Sequence, residues 1–167
     1  MCHVLNSSGI ERFPDHQYDM VRIGIGLYGI SALDSSKLMN VSSLKTSVSQ
    51  LRKVRANETV GYNRKGKLKR DSLIAVIPVG YADGLNRKFS NGVGKVLIKN
   101  TYVPIVGNIC MDMCMIDVTD VDVKEGDEVI IFSDDYSISE LAKQINTIPY
   151  EIMTGISRRV KRVYYYE

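Results

Sequence analysis

From residue 41 to residue 132 the chain is a succession of short runs rich in β-branched residues, each closed by a turn signal. The runs cover residues 41–54, 73–79, 94–98, 102–106, 113–118 and 127–132, and the turns include Ala56-Asn57, Asp83-Gly84, Asn91-Gly92, Lys99-Asn100 and Glu125-Gly126. β-Branched side chains pack well on a pleated surface, and Asn-Gly or Asp-Gly pairs reverse a strand tightly. Regular spacing of this kind predicts a β-barrel or sandwich. Helix signals come late. Ser137 with Glu140 three residues on is a capping box before Leu141, Ala142 and Ile145, predicting two to three helical turns. Pro149 suits the first position of a second short helix. Residues 160–166 read as a closing strand.

Residues 1–30 read differently. His3 to Leu5 leads into Asn6-Ser7-Ser8-Gly9, and residues 19–30 form a glycine-punctuated apolar run. These resemble two strand-to-loop units of an α/β protein without the neighbours that would close it. The segment is therefore expected to be poorly placed, or to pair through exposed edges, ahead of a β domain that is folded from about residue 35. A length of 167 residues allows one domain plus a piece of another.

Composition narrows the function classes. Hydrophobic residues at 44% and charged residues at 25% are those of an ordinary globular chain. The net charge of +3 is spread out except at residues 64–70 and 158–162, too weak a bias for nucleic acid. There are three cysteines, no secretory leader pattern and no apolar run of membrane-spanning length, so a reducing cytoplasm is expected and a membrane is not. Cys110 and Cys114 lack matching ligands elsewhere and read as small buried thiols rather than a metal site.

Four constellations carry candidate chemistry, each with a plainer reading beside it. Asn6-Ser7-Ser8-Gly9 is an ordinary turn or an amide nest for phosphate. Arg22-Ile23-Gly24-Ile25-Gly26 is a strand end with a snorkelling arginine, or a guanidinium aimed at a ring nitrogen that it keeps unprotonated. Gly61-Tyr62 and Gly80-Tyr81-Ala82-Asp83-Gly84 each place a phenol after a glycine, either packed or turned into a cleft for proton transfer. Val106-Gly107-Asn108-Ile109-Cys110-Met111-Asp112 is core methionine with its neighbours, or a junction whose amides hold a small carboxylate.

Taken in order, these segments resemble the alanine racemase family. Asn6-Ser7-Ser8-Gly9 and residues 19–29 look like its last barrel strands. Val60-Gly61-Tyr62, residues 77–84, Pro104-Ile105-Val106-Gly107 with Cys110-Met111-Asp112, Gly126-Asp127-Glu128-Val129, Pro149-Tyr150-Glu151 and Ser157-Arg158-Arg159-Val160 then follow in family order. The resemblance implies a mainly β fold: a barrel-like C-terminal domain with one or two short helices over residues 33–167, preceded at residues 1–32 by the end of an α/β (TIM-type) barrel.

It also implies an isomerase that interconverts L- and D-alanine on pyridoxal phosphate by two bases, feeding peptidoglycan, as a cytoplasmic homodimer. The lysine that carries the cofactor would lie upstream, so this chain alone is expected to be inactive. Ser7, the amides of Gly24 and Ile25, and the Tyr150 hydroxyl would hold the cofactor phosphate. Arg22 would face the pyridine nitrogen, with His3 behind it. Tyr62 would be the second base, reaching the neighbouring subunit's cofactor; Met111 would bind the substrate carboxylate through its amide and Tyr81 would narrow the approach.

Two positions depart from the family pattern. Asn108 stands where arginine is common, which alters the charge of the access corridor unless Arg87 supplies it, and Asn63 follows Tyr62 where glycine is usual. Two other readings fit the same motifs: a non-catalytic β-rich binding or dimerisation module, and a racemase domain fused to a peptidoglycan ligase.

Overall fold

The computed structural model describes residues 1–34 and 37–165. It divides into two compact units, Met1–Ser43 and Leu44–Glu167.

In the first unit the helix α1 (Ser7–Arg12) begins at Asn6, whose side chain accepts the Gly9 N–H at 3.0 Å. Short 3-10 turns follow at Pro14–His16 and Ile25–Tyr28. The two strands expected here do not form among the described residues. Their backbones do run side by side: Asp19 N–H donates to the Cys2 carbonyl at 3.2 Å and Arg22 N–H to the Leu5 carbonyl at 3.0 Å, at the same offset and in the same direction. Two such bonds do not make a ladder. The unit is nonetheless more organised within itself than a poorly placed segment. Glu11, for example, accepts the Ala32 N–H at 3.1 Å.

The second unit is mainly β. Its strands are β1 (Leu44–Ser47), β2 (Gln50–Val54), β3 (Thr59–Val60), β4 (Gly66–Lys67), β5 (Ser72–Ile77), β6 (Lys95–Ile98), β7 (Thr101–Val106), β8 (Cys114–Asp117) and β9 (Glu128–Phe132). Among the described residues seven of them form one antiparallel sheet in the order β1-β9-β6-β7-β8-β5-β2, and β3 pairs with β4 as a separate hairpin.

Residues 41–54, expected as one strand, are split. β1 and β2 occupy opposite ends of the sheet order yet are joined by Val48 and Ser49 alone. Val48 N–H donates to Asp127 on one side and Ser49 N–H to Val76 on the other, both at 2.9 Å, so the sheet must curl until its two edges meet. Its interior is filled by Val96, Ile98, Val103, Ile105, Ile116, Val118 and Val129, none more than 3% exposed.

Helix α2 (Ile138–Gln144) carries the expected capping box, with Ser137 and Glu140 each accepting the other's backbone N–H, and α3 (Pro149–Gly155) has its proline in the first turn. Ile138, Leu141, Ala142 and Ile152 turn inward, and the two helices pack together. The closing strand does not form among the described residues. Residues 160–165 find no ladder partner, and Arg162 folds back onto the carbonyls of Ser157 and Val160; Tyr166 lies outside the described residues. No helix among the described residues is long and apolar enough to cross a membrane.

Truncating the fully buried Ile116 leaves a cavity that the surrounding strands cannot collapse around. Ile116→Ala is expected to cost about 2–5 kcal/mol in urea unfolding. Ser137→Ala removes only a helix cap, and the expected loss is about 1 kcal/mol in the same measurement.

Candidate functional site

Register brings three loops of the second unit to one end of the sheet. Ile77 at the end of β5 is opposite Cys114 at the start of β8, and Val106 at the end of β7 is opposite Met115. Residues 78–85 therefore emerge beside residues 107–113. The β3–β4 hairpin packs on the same end through a cluster of Val60, Leu68, Ile74 and Met115.

The loop of that hairpin presents Tyr62, which is 72% exposed. Gly61 ahead of it has φ 78°, and a Cβ there would sit 2.9 Å from the Met115 methyl carbon, so no other residue fits without displacement. Asn63 has φ 58°. Asparagine tolerates the left-handed region better than other non-glycine residues, so the departure from glycine leaves the turn intact. Asn108 has a structural use as well: its Nδ2 donates to the Tyr62 carbonyl at 3.1 Å while its Oδ1 accepts from Asn91. The residue in the place of an arginine thus ties the Tyr62 turn to the β7–β8 loop.

An open cleft of about 520 Å3 is lined by Val60, Gly61, Tyr62, Cys110, Met111, Asp112, Met113 and Met115. Tyr62 and Met111 therefore share one wall system. Tyr81 is attached to it by backbone, since its N–H donates to the Cys110 carbonyl and the Ala82 N–H to the Met111 carbonyl, each at 3.0 Å. This approach demands a glycine at position 80, where a Cβ would come within 2.3 Å of the Met111 carbonyl oxygen. Tyr150, on α3, is 43% exposed and is not among the lining residues.

Burial raises the Cys110 thiol above its usual range, offset in part by the charge of Arg87. Cys114 is pushed up to about 12 by burial. Both thiols are neutral at pH 7 and belong to the wall rather than the chemistry. Among the described residues no group of three His, Cys, Asp or Glu side chains is placed to hold a metal ion.

The remaining candidates lie in the first unit. The Ser7 hydroxyl, itself buried, accepts N–H bonds from Gly24 at 2.9 Å and Gly26 at 3.3 Å. With its oxygen accepting two N–H groups, the Ser7 hydroxyl keeps its own proton to donate, which suits an anion. Ile25 opens the 3-10 turn beside them. Arg22 donates from Nη2 to the Val4 carbonyl at 3.0 Å, and His3 is not among its partners.

One residue was invisible as a participant in the sequence. Arg159, noted only as part of a motif, pairs with Asp83 and with Asp112. Burial raises the Asp83 carboxyl, but the Arg159 hydrogen bond, the Gly80 N–H and the Arg159 charge outweigh it and hold it below the ordinary range.

Residues 41–164 match the family model for the alanine racemase C-terminal domain, and residues 1–32 match that for the N-terminal domain. The chain belongs to the alanine racemase family. It is 45% identical to alanine racemase 1 of Clostridium acetobutylicum over 97% of the chain and 44% of that protein. It superposes on alanine racemase from a D-cycloserine-producing Streptomyces lavendulae with TM-score 0.93 at 31% identity, covering 99% of this chain and 46% of that one. The alanine racemase of Bartonella henselae, solved with covalently bound pyridoxal phosphate, gives 0.89 at 37% identity, covering 99% and 47%. The chain thus spans about 44% of the length of the curated racemase it matches in Clostridium acetobutylicum.

Because Asp83 is depressed by folding, its contribution to stability is present above the unfolded carboxylate value and is lost as pH falls through the folded one. Asp83→Asn is expected to lower the urea midpoint at pH 7, with the gap to wild type closing as the pH falls below about 3.9.

Proposed function

We propose that this chain forms the C-terminal domain of an alanine racemase, residues 33–167, together with the end of its barrel, residues 1–32. The enzyme interconverts L- and D-alanine with pyridoxal phosphate, in the cytoplasm, and supplies D-alanine for peptidoglycan. The observation that carries the reading is the cleft in which an outward-facing Tyr62 and the Met111 segment meet.

When bound, the cofactor supplies an electron sink for the pair left on the α-carbon. Ser7, the amides of Gly24 and Ile25, and the Tyr150 hydroxyl would hold its phosphate; the nearness of the Gly24 amide to the Ser7 hydroxyl supports the part assigned to those two residues. Arg22 would face the ring nitrogen and, since a guanidinium keeps its protons, would leave that nitrogen unprotonated. A weaker sink favours return of the proton over side reactions.

Inversion needs a proton carrier on each face of the α-carbon. Tyr62 serves one face, and the lysine of the family's N-terminal domain serves the other. The exposure of Tyr62 suits a group that works on a neighbouring subunit, in keeping with the homodimer that the family resemblance implies. The Met111 amide takes the substrate carboxylate, and Tyr81 limits the size of what reaches it.

The test joins this chain to the barrel portion of the Clostridium acetobutylicum relative, loads pyridoxal phosphate and follows α-proton exchange from each alanine enantiomer. Tyr62→Phe is expected to slow exchange from one enantiomer by about 100-fold or more with the cofactor absorbance retained. Equal exchange in variant and wild type, or none in wild type, makes the motifs those of a non-catalytic module.

A further inference from the structure

Arg159 links the two segments that carry Tyr81 and Met111. Its Nε donates to Asp83 Oδ1 at 2.7 Å and its Nη2 to Asp112 Oδ1 at 2.6 Å. Asp83 stands two residues after Tyr81, and Asp112 directly follows Met111. The second Asp83 oxygen accepts the Gly80 N–H at 2.8 Å, and the Asp83 carbonyl accepts the Ser157 N–H at 3.0 Å. Residues 80–83 are thus held from two sides, by the Cys110 and Met111 carbonyls and by the 156–160 turn. That turn is itself pinned by Arg162, which donates to the carbonyls of Ile156, Ser157 and Val160 at 3.1, 2.5 and 2.7 Å.

The Arg159 side chain is 45% exposed and that of Asp112 56%. The Arg159–Asp112 pair is open enough to contribute little to stability, the more enclosed Asp83 carries what the bridge contributes there, and what the bridge adds beyond that is geometry. A planar guanidinium holds two acceptors at a set separation, which a single ammonium cannot do.

We propose that Arg159 is a positioning residue for the substrate contacts, with Arg162 aiming it. The inference rests on the racemase reading of the cleft. By clamping Asp83 and Asp112 together, Arg159 sets the distance between the Met111 amide, which takes the substrate carboxylate, and the Tyr81 phenol, which limits the approach to it. The C-terminal segment thereby tunes substrate binding without touching substrate.

Two measurements test this on wild type, Arg159→Met and Arg159→Lys. The first is amide hydrogen exchange of the 167-residue chain. Arg159→Met is expected to raise exchange in residues 80–85 and 108–113 by about 10-fold while β6 and β7 keep wild-type rates, the pattern of a local opening. The second is racemisation kinetics in the joined protein described above. KM for alanine is expected to rise by about 10-fold with kcat changed less than about 3-fold, the signature of lost binding shared by ground and transition states. Arg159→Lys restores neither, because a single rotatable ammonium has no planar fork to fix the separation of the two carboxylates.

Unchanged exchange in the two segments overturns the proposal, as does a uniform rise across the sheet. An unchanged KM beside an active wild type overturns it too, as does full rescue by lysine. A wild type without activity sinks the racemase reading, while the exchange pattern still decides whether Arg159 positions the two segments.

Discussion

Closure of the sheet at Val48 and Ser49 is the constraint from which the rest of the second unit follows. Within one residue the chain stops bonding to β9 and starts bonding to β5, so the first and last strands of the sheet are consecutive in sequence. Among the described residues no ladder joins β1 to β2, so the sheet curls as a half-barrel whose two edge strands are linked by the chain itself, leaving a single inward face for the β-branched side chains. Val48, 2% exposed, sits at the seam with its N–H and C=O both used, by Asp127 and Gly126.

Because the strands are antiparallel and short, closure also decides which loops meet. The end of β5, the end of β7 and the start of β8 fall at one level of the sheet, and the β3–β4 hairpin covers them through a small apolar cluster. The cleft is then built from backbone contacts, with the Arg159 bridge between Asp83 and Asp112 beside them. Glycine at position 80 admits a carbonyl where a Cβ would sit, and Asn108 reaches across to the Tyr62 turn.

In the first unit, backbone donors are instead gathered onto a side chain. Ser7 stands at the start of α1, capped by Asn6, and draws the amides of Gly24 and Gly26 onto one oxygen. The two units thus differ in kind: amides gathered on a hydroxyl in Met1–Ser43, and an open cleft lined by Tyr62 and Met111 in Leu44–Glu167.

Local chemistry made much of this legible in the sequence by itself. Residues 73–79, 94–98, 102–106, 113–118 and 127–132 anticipate β5 to β9 within a few residues, because β-branched runs between turn residues have few other stable conformations. The capping box at Ser137 and the proline at 149 mark their helices for the same local reason. The order of the motifs led to the family. Only the tertiary structure decided the rest, since long-range pairing leaves no short-range pattern. It broke residues 41–54 at Val48 and Ser49 and left residues 160–165 without a ladder. It also folded residues 59–67 into a hairpin too short to show periodicity. It brought Arg159 to Asp83 and Asp112, across sequence separations of 76 and 47 residues, where no spacing rule connects an arginine to its partners.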